Sequence, residues 1–222
     1  MGKVLGIVAE YNPFHNGHLY HLEESKKATG ANYTVAIMSG NFTQRGDTSI
    51  IDKWSKTKIA LSNGIDIVIE LPLLYSISSA ENFAEGAIKI LDSLKVVDYI
   101  SFGAETSNIK ILDKIADVLY NEPKEYKALL AHELSKGISY PKARDNALMM
   151  YLNNIRQLSN VVSSPNNILG IEYLKALKKF NSNILPIAIP RFSSEYNDTS
   201  FSGNIASATA IRNIIKNKGF DI

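Results

Sequence analysis

Two histidines three residues apart, His15 and His18, have the type and spacing best suited to catalysis in this sequence. They follow an apolar run and a turn at 12–13, and they stand where a helical pattern begins. The first turn of a helix carries unpaired N–H groups and a partial positive charge, and Gly17 lets a ligand approach the backbone closely. Because residues three apart share one face of a helix, both imidazoles lie beside an anion site. A triphosphate is the natural occupant.

Histidine is also the commonest metal ligand, so His15, His18 and His21 could instead form a metal cluster. These three side chains spread over nearly two helical turns and present a wide arc, with Glu24 as the nearby carboxylate at a favoured spacing. A polar helix start without function is a third interpretation. The strand, turn and helix context favours phosphate chemistry, and we expect no metal held by protein side chains alone.

The elements that must position these histidines alternate between β-branched runs and amphipathic segments, which is typical of a parallel sheet covered by helices. The predicted strands are 3–9, 33–39, 66–71, 99–103 and 184–189. The predicted helices are 15–29, 52–63, 79–94, 109–120 and 166–179, with a last helix from Ser207. We therefore expect an α/β fold, a Rossmann-like parallel sheet, over residues 1–222.

Two other segments differ from this alternation. Residues 123–154 have a helical pattern throughout and no strand, which predicts a helical insertion at about 122–155. Residues 192–204 are rich in Ser, Asn and Gly with little periodicity, which predicts a mobile loop.

Composition excludes several classes of protein. With 45% hydrophobic residues in 222, the chain can bury one substantial core. It contains no cysteine, which excludes disulfides, a thiolate nucleophile and cysteine-ligated zinc. The run 65–74 is far shorter than the roughly 20 residues of a membrane span, and the start of the chain lacks the pattern of a secretory signal. We expect a cytoplasmic enzyme, and a net charge of +2 restricts any RNA contact to a local patch.

The run 15–18 resembles the HxGH signature of the HIGH-type nucleotidyltransferase superfamily, which is related to class I aminoacyl-tRNA synthetases. The longer run 9–21 resembles the tRNA(Met) cytidine acetate ligase family. Further runs that resemble this family are 38–42, 44–47, 53–58, 69–72, 101–105, 165–170 and 206–212. The resemblance therefore covers nearly the whole chain.

The resemblance implies a reaction and its substrates. In the superfamily, the two histidines stabilise charge on the α-phosphate and the leaving pyrophosphate while a nucleophile attacks in line, so positioning and electrostatics supply the catalysis. Members of the narrower family make acetyl-adenylate from ATP and acetate, then acetylate N4 of the wobble cytidine of elongator tRNA(Met). ATP is thus the implied substrate, accompanied by Mg²⁺, and acetate and this tRNA are the implied partners.

Carried over by position, the resemblance implies an ATP site made of several segments. Its catalytic residues are His15 and His18. Its other ATP contacts are Ile7, Val8, Ala9, Glu10, Tyr11, Asn12, Pro13, Phe14, Asn16, Gly17, Leu19, Tyr20, Gly103, Asn166, Asn167, Arg191, Ser207, Thr209 and Arg212.

Separate roles are expected within this set. Gly103 would let the nucleoside lie against the carboxyl edge of the sheet, and Asn166 is favoured over Asn167 as its hydrogen-bond partner. Arg191 could fork onto phosphate oxygens. The last members, Ser207, Thr209 and Arg212, would form a second phosphate clamp at a helix start. Without the resemblance, these residues read more simply as a strand end, helix caps and solvated arginines.

Four basic residues form the candidate RNA surface, namely Arg45, Lys53, Lys56 and Lys58, with a second group at Lys175, Lys178 and Lys179. Charges at these spacings are usually solvated helix faces, so most of this prediction comes from the resemblance.

Two other functions remain open. One is an adenylyl- or cytidylyltransferase acting on a small phosphorylated substrate, and the other is a non-catalytic module that binds ATP and RNA. Two imidazoles placed for a developing charge argue against the module. The family has a long region beyond the last motif, whereas this sequence ends ten residues after Arg212. Activation of acetate is therefore implied more directly than transfer to tRNA.

Overall fold

The fold is built on a five-stranded parallel sheet, seen in a computed structural model that describes residues 2–106, 108–153, 158–191 and 208–218. The strands are β1 Val4–Ala9, β2 Tyr33–Ser39, β3 Ile67–Leu71, β4 Tyr99–Ala104 and β5 Leu185–Pro190. They lie in the order β3-β2-β1-β4-β5, and every pair is parallel. The predicted α/β class is confirmed, and each predicted strand boundary is within one residue of the observed one.

Helices connect the strands and cover both faces of the sheet. Within the described residues they are α1 Asn16–Thr29, α2 Lys53–Ser62, α3 Leu73–Ser76, α4 Ala80–Ser93, α5 Ile109–Asn121, α6 Lys124–Ser135, α7 Tyr140–Tyr151, α8 Leu158–Ser163, α9 Pro165–Lys179 and α10 Ala208–Lys218. The short α3 was not predicted, because four residues are too few for helical periodicity to be visible. The predicted loop at 192–204 and the predicted helix start at Ser207 lie outside the described residues.

Side chains that alternate along each strand feed two separate cores. In β2, Val35 and Ile37 join a large cluster with α4, α5 and α9, while Ala36 and Met38 join a smaller one with α1 and α2. Strands buried on both faces must be apolar at nearly every position, which explains their continuous hydrophobic runs. The α1 and α2 helices therefore share one face of the sheet.

The carboxyl ends of all five strands meet at one edge, since every strand is parallel. The strand order reverses at β1, whose neighbours are β2 on one side and β4 on the other. Open α/β sheets bind ligands in the crevice at such a switch point. The loop that follows β1 carries His15, so the fold places the predicted phosphate chemistry at this crevice.

Helices α6 and α7 occupy the segment predicted to be a helical insertion. They pack on each other through Tyr126, Ala147 and Leu148, all of which are buried. This pair adds to the large core on the α5 and α9 side of the sheet and lies outside the sheet itself. Its status as an insertion stays a prediction.

Candidate active site

The connection from β1 to α1 sets the position of the two histidines. Tyr11 has a positive φ of 46°. Residues other than glycine adopt this backbone conformation only where packing offsets its strain. Its ring is 2% exposed and contacts the rings of Phe14 and His18, with centroids 4.8 and 4.9 Å away. The backbone of His15 is extended, and this residue caps α1. Between Tyr11 and His15 the chain has a cis peptide bond at Asn12-Pro13. Aromatic packing thus holds the turn that delivers His15 and His18 to the start of α1.

The rings of His15 and His18 stack with their centroids 3.8 Å apart. The Nδ1 atom of His15 accepts the N–H of Gly17 at 3.0 Å, and the Nδ1 atom of His18 accepts the N–H of His15 at 3.3 Å. The second of these bonds belongs to a capping box built from histidines, in which the His15 side chain also accepts the backbone N–H of His18. An Nδ1 that accepts a hydrogen bond is unprotonated, so each neutral ring carries its proton on Nε2. The pair therefore supplies two N–H donors at the helix start.

Both rings are neutral near pH 7. Burial lowers the pKa of His15 below its usual 6.5, and the charge of Arg191 lowers it further. Burial also lowers the pKa of His18 well below that value, with smaller contributions from His15, His21 and Arg191. A bound phosphate would act in the opposite direction, because an anion beside an imidazole favours its protonated form.

The third histidine points elsewhere. The Nε2 atom of His21 lies 3.0 Å from the hydroxyl of Ser101 in β4, which in turn lies 2.6 Å from the hydroxyl of Ser25. Burial lowers the pKa of His21 to about 4, with a further contribution from Arg191. Within the described part of the chain, no three His, Asp or Glu side chains are arranged to hold a metal ion. His21 therefore joins α1 to the sheet.

The loop is braced from the β2–α2 connection. The Glu10 carboxylate accepts the N–H of Gln44 at 2.6 Å, and the side-chain carbonyl of Asn12 accepts the N–H of Ile50 at 2.9 Å. Both bonds link segments more than 30 residues apart in sequence. The side chains of Glu10 and Asn12 thus fix the loop in place, which is a different role from the ATP contacts predicted for them.

Lys56 is buried, with 1% of its surface exposed, which argues against the RNA contact predicted for it. Its ammonium group donates to the carbonyls of Glu10 and Ser39 at 2.9 and 2.8 Å and to the hydroxyl of Ser49 at 3.1 Å. It therefore ties together the carboxyl ends of β1 and β2. Burial lowers its pKa to about 8, against the opposing charges of Glu10 and Glu70.

Helix α10 contacts the same loop from the opposite end of the sequence. The guanidinium of Arg212 donates to the backbone carbonyl of Asn12 at 2.7 Å and to the hydroxyl of Thr209 at 3.0 Å. Arg212 and Thr209, two of the three residues predicted to form a second phosphate clamp, therefore lie beside the histidine loop. The third, Ser207, lies outside the described residues.

The nucleoside side of the predicted site is a hydrogen-bonded network between β4, α9 and the end of β5. The Glu105 carboxylate accepts the amide N–H₂ of Asn166 at 2.6 Å and the backbone N–H of Asn167 at 3.0 Å. The guanidinium of Arg191 donates to the amide carbonyl of Asn166 at 3.0 Å. Arg191 also lowers the pKa of His15, which places its charge near the histidine pair. Since β1 and β4 are neighbouring strands, the histidine loop and this network follow adjacent strand ends.

The two asparagines have different surroundings. Asn167 is 1% exposed, and its side-chain oxygen accepts the backbone N–H groups of Glu105 and Thr106 at 3.0 and 3.1 Å. It therefore shapes the loop after β4, which makes its side chain the weaker candidate of the two for a ligand contact. Asn166 is only partly buried and lies beside Arg191, so the preference for it is consistent with the geometry.

Gly103 has no packing reason to be glycine. A Cβ there would meet only the Cγ of Arg191, at an ordinary 3.5 Å, whereas a Cβ at Gly86 or Gly170 would collide with an aromatic ring. Space kept free at the carboxyl end of β4 is what a flat ligand against the sheet edge needs.

The rest of the predicted ATP segment surrounds the histidines. Ile7 is 1% exposed within β1, and Val8 is partly buried and packs on the large cluster, so their side chains support the site from the core, and the ATP contacts predicted for them would come from the backbone. The other members are partly buried or exposed along the turn and the start of α1, namely Ala9, Pro13, Phe14, Asn16, Gly17, Leu19 and Tyr20.

The other candidate RNA residues lie at the surface. Arg45 and Lys58 are exposed. Lys53 forms an ion pair with Glu70 at 2.7 Å, and its ammonium lies 5.3 Å from the ring centroid of Trp54. Glu70 and Trp54 were not predicted as site residues from the sequence. The one visible signal was that Lys53 and Trp54 stand next to each other at the start of a predicted helix.

The second basic group is neutralised by neighbouring carboxylates. Lys175 pairs with Glu81 and Glu172, and Lys179 pairs with Glu85 at 2.6 Å. Lys178 pairs with Asp113 and Asp117. These lysines join α9 to α4 and α5, which weakens their case as an RNA surface.

In the described residues, no helix combines the length and apolarity needed to cross a membrane.

Comparison with known proteins agrees with this geometry. A family model described as HIGH nucleotidyl transferase matches residues 2–221. The chain is 54% identical over 213 residues to a protein of Acetivibrio thermocellus and 53% identical over 217 residues to one of Caldanaerobacter subterraneus, both named tRNA(Met) cytidine acetate ligase. These alignments cover 96% and 98% of this chain but 51% and 54% of the relatives. The chain thus spans about half the length of the curated relatives that it matches.

Solved structures give the same result. The crystal structure of Thermotoga maritima TmcAL bound to alpha-thio ATP superposes with a TM-score of 0.90 at 43% identity, over 97% of this chain and 51% of that one. The apo form of the same protein gives a TM-score of 0.91 at 45% identity, over 97% and 52% of the two chains.

Proposed function

The chain belongs to the HIGH nucleotidyl transferase family, and from that premise we propose that it activates acetate with ATP and acetylates N4 of the wobble cytidine of elongator tRNA(Met). The observation that carries the proposal is the stacked pair of His15 and His18, whose Nε2–H groups form a double donor at the start of α1. Relatives at 54% and 53% identity that carry this activity in their names support it, as does the relative that binds an ATP analogue.

In the first half-reaction, a carboxylate oxygen of acetate attacks the α-phosphorus of ATP, and the bond from this phosphorus to the bridging oxygen of the β-phosphate breaks. The Nε2–H groups of His15 and His18 donate to the oxygens that gain negative charge. These groups stabilise the charge by hydrogen bonding, while Arg191 and Arg212 supply positive charge. Mg²⁺ held by the phosphates of ATP would neutralise part of their charge.

On the nucleoside side, Gly103 leaves space at the end of β4 for the base or ribose. Asn166 offers amide groups to the nucleoside, and Glu105 and Arg191 hold that amide from both sides. Positioning is the main source of rate in such a reaction, so a fixed Asn166 matters more than its individual hydrogen bonds.

In the second half-reaction, the N4 amine of cytidine attacks the acetyl carbonyl of acetyl-adenylate. The carbonyl carbon to phosphate oxygen bond breaks, AMP leaves, and the amine loses one proton to give N4-acetylcytidine. Since tRNA is modified where translation occurs, the cytoplasm is the compartment in which such an enzyme would act.

Oxygen-18 transfer tests this proposal sharply. Acetate labelled with ¹⁸O in both oxygens is incubated with the protein, ATP, Mg²⁺ and an elongator tRNA(Met) transcript, and AMP is examined by mass spectrometry. Attack by acetate on the α-phosphorus leaves one ¹⁸O in AMP and N4-acetylcytidine in the tRNA. A transcript with uridine at the wobble position controls for the acceptor.

Unlabelled AMP would contradict acetyl-adenylate formation. Pyrophosphate release that depends on a phosphorylated small molecule, and not on acetate, would indicate the adenylyl- or cytidylyltransferase function instead. Labelled AMP without acetylated tRNA would restrict the proposed activity of this chain to adenylation.

A further inference from the structure

A cavity of about 110 Å³ lies on the same edge of the sheet, where β2, β3 and α2 meet. Neither the phosphate subsite nor the nucleoside subsite uses it. Both apolar and charged residues line it, among them Met38, Gly40, Lys53, Trp54, Val68 and Glu70. Cavities of about 150 Å³ in proteins bind a six-membered ring, so this one is of the size that takes a flat ring with one edge in solvent.

The strand register places this cavity close to the histidine loop. Ala9, the last residue of β1, pairs with Met38, and Met38 pairs with Glu70 on the next strand. Neighbouring strands are about 4.8 Å apart, so Glu70 lies roughly 10 Å from the end of β1. Helix α2, which forms one wall, covers the same face of the sheet as α1. A ligand in this cavity would therefore lie next to a nucleotide held by the histidines.

The polar groups of the cavity form a donor beside an acceptor. The Nζ atom of Lys53 lies 2.7 Å from Oε2 of Glu70, and the Glu70 side chain is half exposed. The Glu70 carboxylate also lies against the backbone of Gly40, where any Cβ would collide with it. Glycine at residue 40 is thus what allows the carboxylate to lie at the sheet edge.

An exposed indole completes the cavity. Trp54 is the single tryptophan of the chain and is 70% exposed. Its backbone N–H is bonded to the cap residue Asp52, and the Lys53 ammonium lies near its ring. The ring contributes little to the core, so folding does not explain its presence. Proteins that bind single-stranded nucleic acid commonly stack unpaired bases on such rings.

We infer that this cavity binds a cytosine base unstacked from a single-stranded RNA loop. The base stacks on Trp54, its exocyclic amine donates to Glu70, and Lys53 donates to its N3 or O2 atom. Carboxylates are the usual acceptors for this amine. Uracil presents a carbonyl oxygen where cytosine has the amine, and that oxygen would face the Glu70 carboxylate. The cavity thus selects cytosine, and the exposed side chains of Arg45 and Lys58 are the candidate contacts for the backbone phosphates.

This inference rests on the proposed function, since it names the site for the acceptor of that reaction. Its test is an equilibrium titration of the full 222-residue chain, without ATP or acetate, so failure here and failure of ¹⁸O transfer are separate results. The titrants are two hairpin RNAs that differ only in a cytosine or a uridine at the centre of the loop. Because Trp54 is the single tryptophan, stacking is read directly as quenching of its fluorescence.

The cytosine hairpin is expected to quench Trp54 and to bind at least about tenfold more tightly than the uridine hairpin. Glu70→Gln should reduce this preference to less than about threefold, because an amide can also donate to the carbonyl of uracil. Glu85→Gln, which removes a surface carboxylate paired with Lys179 on another face, is the matched control and should keep the preference. Thermal unfolding of each variant verifies that it is folded.

Equal affinity for the two hairpins in the wild-type chain, or binding of neither, would overturn the inference whatever the variants do. A blue shift of Trp54 emission with rising protein concentration in the absence of RNA would also overturn it, since the indole would then be covered by a second copy of the chain.

Discussion

The Nδ1 atom of His18 accepts the backbone N–H of His15, 3.3 Å away, while the two imidazoles stack at 3.8 Å. Each ring therefore performs two tasks with its two nitrogens. Nδ1 caps the helix and fixes the tautomer, and Nε2 carries the proton that a phosphate oxygen can accept. The same arrangement makes the helix start stable and makes it a donor.

These two tasks can be separated at His18. The side-chain oxygen of His18→Asn can replace Nδ1 as an acceptor, whereas the amide nitrogen of His18→Gln can replace Nε2 as a donor. We expect His18→Asn to keep its thermal stability and to lose about 10²–10³-fold in kcat for adenylation. His18→Gln should retain more activity and lose about 1 kcal/mol of unfolding free energy. Steady-state kinetics and urea denaturation measure both, and the reverse ranking in kcat would contradict donation from Nε2.

Stability should fall in mild acid because the buried histidines are neutral in the fold. The pKa of His21 is about 4 in the fold against 6.5 in the unfolded chain, so the unfolded state binds more protons between these values. The stabilising contribution is complete above pH about 6.5 and is lost as the pH falls towards 4. One pKa unit corresponds to about 1.4 kcal/mol, so His21 alone should cost about 2 kcal/mol between pH about 7 and about 5.

Urea denaturation at a series of pH values measures this loss, and His21→Gln supplies the comparison. Glutamine can keep a hydrogen bond to Ser101 but does not titrate. The unfolding free energy of the variant should therefore fall by about 2 kcal/mol less than that of the wild type over the same pH interval. An identical slope in the variant would show that His21 is not the group responsible.

Lys56 should be a structural residue of the site. Lys56→Met keeps the length of the side chain but leaves the carbonyls of Glu10 and Ser39 without their buried donor. We expect a loss of about 3 kcal/mol in unfolding free energy, together with a raised KM for ATP because the histidine loop loosens. Lys58→Met, an exposed lysine on the same helix, is the control and should change stability by less than about 0.5 kcal/mol. Similar effects of both variants would contradict this role.

Glu105 should act on the nucleotide through Asn166. Glu105→Ala removes the carboxylate that holds the Asn166 amide and the start of α9. We expect ATP affinity to fall about tenfold through lost positioning and stability to fall by about 1 kcal/mol through the lost cap. Isothermal titration calorimetry with ATP measures the first effect. Glu125→Ala, in the first turn of α6, is the matched control, and a weaker affinity there would show that the effect is not local.

The sheet and its active edge were predictable because they depend on local patterns. Apolar runs with β-branched residues mark strands buried on both faces, and the turn before His15 marks a strand that leads into a helix. Since parallel strands end at one edge, the convergence of His15, Gly103 and Arg191 follows from the predicted topology.

The roles of Lys56 and Glu105 were not predictable from the same patterns. A lysine at helical spacing reads as solvated, and only the carbonyls of Glu10 and Ser39, each distant in sequence, make a buried ammonium favourable. Similarly, the difference between Asn166 and Asn167 depends on which amide meets the loop after β4. Such contacts depend on tertiary packing, which spacing along one chain does not encode.

ATP–pyrophosphate exchange with and without acetate tests the central claim most directly, which is that the histidine pair catalyses attack of acetate on ATP. The wild-type chain is compared with His18→Ala and with His132→Ala, an exposed histidine on α6 that controls for loss of an imidazole elsewhere. We expect exchange that requires acetate, falls at least about 10²-fold in His18→Ala and is unchanged in His132→Ala. Exchange that is independent of acetate, or equal in all three proteins, would contradict the account.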